Sequence, residues 1–246
     1  ALTETGVRAY VFGHELEVFD PSEPETIIDQ SDSDDPLLDL LLENVWRPVY
    51  FVDMIRNGTY DLEVFQPEYG LFPSPEEKTL ELVLPYHSTV FEYDAVTRVG
   101  PRKYLLEGTT VQLTFNRGDE LSIQYMLEGR QYILALQRVP GDIGEYVAAE
   151  IERRQGVYEN LMDRGPTFSS GNYGQITLLP EQRFRWIGFD RLVPAAIAAG
   201  SGEFGLVRLD LYLAAELMND YDGALSFQFE GRNDRVSFIY ALTPDG

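Results

Sequence analysis

The sequence contains no cysteine. That excludes a disulfide framework, a thiolate nucleophile and a Cys-ligated zinc or iron–sulfur centre. Cations are scarce too: 19 Lys and Arg stand against 41 Asp and Glu over 246 residues, a formal charge of −22. A phosphate-backbone surface needs clustered Lys and Arg to release counterions, so nucleic acid is not an expected partner. Lys78 and Lys103 are the only lysines, a bias that reflects habitat or genome more than function. Long hydrophobic runs are missing as well. No stretch approaches the roughly 20 apolar residues of a spanning helix, so no transmembrane span is expected. The opening residues, from Ala1 to Gly6, show neither a basic n-region nor an apolar h-region. This suits an exported chain, periplasmic or at the cell surface, whose signal and any lipid anchor have been removed; a cytosolic chain is the alternative.

What is present is a core-forming share of apolar residues, 44%, with 13% aromatics, and a hydrophobic period that is mostly two. Residues from Asp20 to Asp35 are rich in Asp, Glu, Ser and Pro, and read as an exposed acidic linker. Asp35-Pro36 then reads as an N-cap with proline at the first helical position, opening a short helix through Leu38, Leu41 and Leu42. Residues 1–44 are therefore an acidic N-terminal extension and 45–246 a single β-barrel domain.

Beyond Val45 strands are expected around Leu80–Leu84, Val111–Phe115, Leu121–Leu127, Tyr132–Leu136, Ile176–Leu178, Phe184–Trp186, Leu209–Leu213, Leu225–Phe229 and Val236–Tyr240. Asn57-Gly58, Asn116–Asp119 and Glu128-Gly129 supply turn residues tolerant of positive φ, with Asn57-Gly58-Thr59 reading as a type I′ hairpin turn. One longer helix is expected over about 144–163, where Val147, Ile151, Tyr158 and Leu161 recur at helical spacing and Gly165-Pro166 makes the stop. The expected fold is mainly β: an antiparallel meander closed into one lipocalin-like β-barrel of about eight to ten strands.

Chemical motifs are few. Gly200-Ser201-Gly202-Glu203-Phe204-Gly205 has the letters of a dinucleotide fingerprint, but it leads into a strand where the fingerprint needs a helix N-terminus. His14-Glu15-Leu16-Glu17-Val18 starts like the zinc-protease motif and has valine where the second histidine belongs. His87, after Pro85, reads as a lone exposed histidine without an acid partner. Asp32, Asp34 and Glu43 fit EF-hand positions 1, 3 and 12, yet Leu37 stands where the loop needs glycine and Pro36 takes a ligand position. Asp220 and Asp222 are weak metal candidates in a loop that also reads as an ordinary turn. No cofactor is implied. Arg117-Gly118-Asp119 at a hairpin tip offers a guanidinium and a carboxylate to a partner. Among 41 acidic residues no carboxylate pair for glycoside hydrolysis can be singled out.

Tyr125, Tyr132, Phe184, Trp186, Phe227, Phe229, Phe238 and Tyr240 fall on apolar strand faces, and in a closed sheet they point inward together. They are then either interdigitated core or the lining of a pocket for a small apolar ligand.

Glu128-Gly129-Arg130-Gln131-Tyr132, Glu152-Arg153-Arg154, Gly165-Pro166, Tyr173-Gly174, Phe184-Arg185-Trp186 and the run from Tyr221 to Phe227 give a resemblance. Over about 104–242 the chain resembles spirochaetal lipoproteins with a small lipocalin-like β-barrel, the group that includes treponemal pallilysin. The resemblance implies an exported, lipid-tethered protein whose work is binding. A protease activity linked to that group through H-E-x-x-H does not carry over, because Val18 breaks the motif. The leading expectation is thus a non-catalytic cell-envelope protein that binds a protein or glycan surface through its loops. A carrier of a small apolar ligand and a carboxylate-based hydrolase are the alternatives.

Overall fold

Antiparallel pairing dominates the computed structural model, which describes residues 26–27, 35–116 and 119–242. The chain opens with β1 (Thr26–Ile27), α1 (Pro36–Leu42), β2 (Arg47–Pro48) and α2 (Val49–Asn57). Then come β3 (Gly70–Ser74), β4 (Thr79–Leu84), β5 (His87–Glu92), β6 (Val96–Gly100), β7 (Lys103–Leu106), β8 (Gln112–Phe115), β9 (Glu120–Leu127) and β10 (Arg130–Gln137). After α3 (Ile143–Arg164) follow β11 (Thr167–Ser170), β12 (Gly174–Leu179), β13 (Arg183–Ile187), β14 (Phe204–Arg208), β15 (Gly223–Phe229) and β16 (Arg235–Tyr240).

These strands form three sheets. One has seven strands in the order β1-β6-β7-β8-β9-β10-β2, one is β3-β4-β5, and one runs β11 to β16 in sequence order. One sheet curves as a half-barrel. The mainly β, antiparallel expectation holds, but the described residues do not form a single closed barrel. The reason is physical: alternation reports that one face of a strand is buried and says nothing about which strand lies beside it. The 22-residue α3, about 33 Å long, separates the meander ending at β10 from the one starting at β11.

Each meander fills its own core. Leu38 and Leu41 of α1, Trp46, Leu71, Leu80, Leu82, Tyr104, Leu113, Ile123 and Leu136 belong to the first, which joins the seven-stranded and three-stranded sheets. Trp186, Phe184, Phe227, Phe229 and Val207 pack with Tyr158 and Leu161 of α3 in the second. A third cluster, built on Phe51 of α2, Phe65 and Ile143, joins α2, the loop after it and the start of α3.

Local chemistry explains most element ends. Asp35 caps α1 as expected, accepting from Leu37 N–H (3.1 Å) and Leu38 N–H (3.3 Å). Glu128 and Gly129 both take positive φ between β9 and β10, the requirement of a type I′ turn. Asn57-Gly58 is not a hairpin turn. Gly58, at φ +64°, closes α2, with Gly58 N–H on Ile55 C=O and Thr59 N–H on Met54 C=O. The β-branched and aromatic residues of α2 imitate a strand, and burial of Phe51 decides for the helix. Leu209–Leu213 is not a strand either. The ladder ends at Arg208, and Gly205 lets it form: a Cβ there would lie 2.1 Å from the Gln228 carbonyl oxygen and 2.6 Å from the Phe184 ring.

Candidate functional site

The segment released from the sheet at Leu209 faces the loop that follows α2. Between them lies an open cleft of about 360 Å³, lined by Met54, Thr59, Tyr60, Asp61 and Glu63 on one side and by Asp210, Leu211, Tyr212 and Arg235 on the other. The loop wall is shaped locally: Asp61 accepts from Glu63 N–H at 3.0 Å through its side chain, and from Val64 and Phe65 N–H through its carbonyl. On the opposite wall Arg235 pairs with one oxygen of Asp210, while the other, Oδ1, is buried with no hydrogen-bond partner among the described residues.

Behind the cleft the walls are tied together by a buried carboxylate. Glu150 of α3 is 3% exposed. Arg153 donates to both its oxygens (2.6 and 2.8 Å), Arg154 Nε to Oε1 (2.6 Å) and the Tyr212 hydroxyl to Oε1 (2.7 Å). The same hydroxyl accepts from Tyr60 N–H (2.9 Å), and Arg154 reaches the Tyr60 carbonyl (2.7 Å). Arg153 also donates to Leu209 C=O at 3.1 Å and lies 5.0 Å over the Tyr212 ring. Burial alone would raise the Glu150 pKa, but the hydrogen bonds from Arg153, Arg154 and Tyr212 outweigh it and hold the carboxyl below its ordinary range. Arg153 is pushed up in return, chiefly by its hydrogen bond to Glu150. Burial and then the neighbouring Tyr146, Tyr212 and Glu150 raise Tyr60. A carboxylate bonded to two guanidinium groups and a hydroxyl anchors the chain segments that carry them.

The aromatic residues singled out in the sequence do not meet in one interior. Tyr125 and Tyr132 stand on β9 and β10, their rings stacked at 5.3 Å. Phe184, Trp186, Phe227, Phe229, Phe238 and Tyr240 belong to the six-stranded sheet, where Phe184–Phe227 (5.0 Å), Trp186–Phe227 (5.4 Å) and Trp186–Phe238 (5.8 Å) interlock. They are core. Burial, and then the charge of Asp222, raises the Tyr240 pKa. His87 is not a lone exposed residue: it starts β5, its ring runs parallel to Tyr125 (6.2 Å) and Tyr132 (6.4 Å), and its Nε2 is buried with no hydrogen-bond partner among the described residues.

Of the Arg117-Gly118-Asp119 triplet, Arg117 and Gly118 lie outside the described residues, and the Asp119 carboxylate pairs with Arg138. His14, Val18, Asp32 and Asp34 also lie outside them, while Glu43 ends α1. Asp222 accepts from Leu242 N–H, and among the described residues no three His, Cys, Asp or Glu side chains gather as metal ligands. No described helix is long and apolar enough to cross a membrane. Sequence reasoning missed the cleft. The helical spacing of α3 placed Glu150, Arg153 and Arg154 near one another, but nothing local announces Tyr60 or Tyr212 as their partners.

An uncharacterized protein of Treponema pallidum (strain Nichols) is 30% identical to this chain over 251 residues, an alignment that takes in all of the chain and 55% of that protein. The chain thus spans about half the length of this curated relative. The match supports the treponemal side of the resemblance and carries nothing for pallilysin in particular. No solved structure matches the chain. Residues 28–139, from just before α1 to just after β10, match the model of the TP0260 family, third domain.

Proposed function

We propose that the protein is a non-catalytic binding protein of the cell envelope, engaging a macromolecular partner or surface with the loops around the cleft. The observation that carries this is the contrast between filled and open space. Trp186, Phe184, Tyr104 and Trp46 are essentially inaccessible in the two cores, while the cleft beside Tyr60 and Tyr212 stands open to solvent. Recognition at loops held by a rigid scaffold is the usual division of labour in β-rich folds. The Glu150 network supplies that rigidity at the cleft. The exported location draws its support from the likeness to spirochaetal lipoproteins. A hydrolytic reading draws none from Glu150, whose carboxyl is displaced in the direction opposite to that of a general acid.

The test is a binding panel of immobilised proteins and glycans, probed with the wild type and with Leu211→Trp. Leu211 is 37% exposed, so the larger ring fills the cleft without entering a core. A partner bound by the wild type and lost, by tenfold or more, in the variant is the expected result. Binding that is indifferent to the filled cleft contradicts the reading.

A further inference from the structure

The cleft has a definite chemical bias. Its walls carry three carboxylates, Asp61, Glu63 and Asp210, and one cation, Arg235. Arg235 is consumed by Asp210. Asp61 and Glu63 make no ion pair among the described residues, and both are exposed. The same walls carry two tyrosines, Tyr60 and Tyr212, and two aliphatic side chains, Met54 and Leu211. The chain's own arginines already show what these groups accept. One guanidinium sits on Asp210, and another, Arg153, lies over the Tyr212 ring.

We infer that the cleft is a binding site for a guanidinium or primary ammonium group carried on a short aliphatic chain. The cationic head is neutralised by Asp61 and Glu63, and the stem lies against Met54, Leu211 and the tyrosine rings. Such a head is supplied either by a free amine or by an Arg or Lys side chain of a protein partner, and the formal charge of −22 attracts both. The inference rests on the cleft being the binding region but names its ligand, so a partner lost with Leu211→Trp and indifferent to amines would sink the inference alone.

Calorimetric titration of the full chain at physiological salt with agmatine, and separately with a short acetylated peptide containing one arginine, tests it. One-to-one binding of at least one probe is expected, weakened by about tenfold in the double variant Asp61→Asn, Glu63→Gln. Asparagine keeps the acceptor that caps Glu63 N–H, so the loop is preserved. The matched charge change at Glu76→Gln, Glu77→Gln, in the exposed turn between β3 and β4, should leave affinity within about twofold. Binding of agmatine assigns the site to free amines, and binding of the peptide alone assigns it to a basic protein segment; both support the inference. Silence with both probes, or an equal loss in the two double variants, overturns it.

Discussion

A Cβ added to Gly174 would sit 1.9 Å from the Ile187 carbonyl oxygen, at a φ of +78° that side chains resist. The obstacle is backbone, which cannot rotate aside. Gly174→Ala is therefore expected to destabilise the fold by about 3–4 kcal/mol in urea unfolding, and a loss below about 1 kcal/mol would contradict the close approach of β12 to β13. Residue-scale features were legible where their cause is local and hidden where it is not. Asp35 was readable as a cap because its partners are two and three residues away. Its second role was not: the buried Tyr104 hydroxyl, 69 positions along the chain, donates to both its oxygens at 2.9 and 3.0 Å. Burial and then that hydrogen bond push the Tyr104 pKa up. His87 shows the same limit, since only the fold brings Tyr125 and Tyr132 beside it.

At the scale of elements, α3 is both the best-read part of the sequence and the part that spoils the expected barrel. Helical spacing placed it over about 144–163, and it spans Ile143–Arg164. Spacing could not reveal that it carries a carboxylate into the junction between the loop after α2 and the segment after β14. The element α2 was missed because its residues favour strands and only its burial makes it helical. Glu150 gives the junction a pH dependence whose sign is fixed. Its carboxyl is held below its ordinary range in the folded chain by the hydrogen bonds from Arg153, Arg154 and Tyr212, against the opposing effect of burial, so its stabilisation is present above the unfolded value and lost as pH falls through the folded one. Glu150→Gln should cost about 2–3 kcal/mol at pH 7, because the change leaves Arg153 and Arg154 without their counter-charge. Unfolding curves at pH 7 and pH 3 provide the check: the gap between wild type and variant should narrow in acid. A gap that widens would mean that the carboxylate is not the anchor.

Across the whole molecule, period-two alternation correctly announced antiparallel sheet, but not its division into separate meanders. The number of sheets was hidden, because strands of one barrel and strands of three sheets carry the same alternation. So of the eight aromatic residues that looked like one pocket, seven belong to or pack against two separate cores and Tyr132 is exposed, while the open cleft lies between the loop after α2 and the segment after β14. The central claim is that the sheet interiors are full and that binding takes place in the cleft. Native mass spectrometry of the purified chain, followed by denaturing extraction of anything it carries, tests this most directly. The account predicts the bare polypeptide mass and an extract free of apolar compounds. An apolar molecule recovered one to one with the protein would contradict it and return the aromatic strand faces to the role of a ligand pocket.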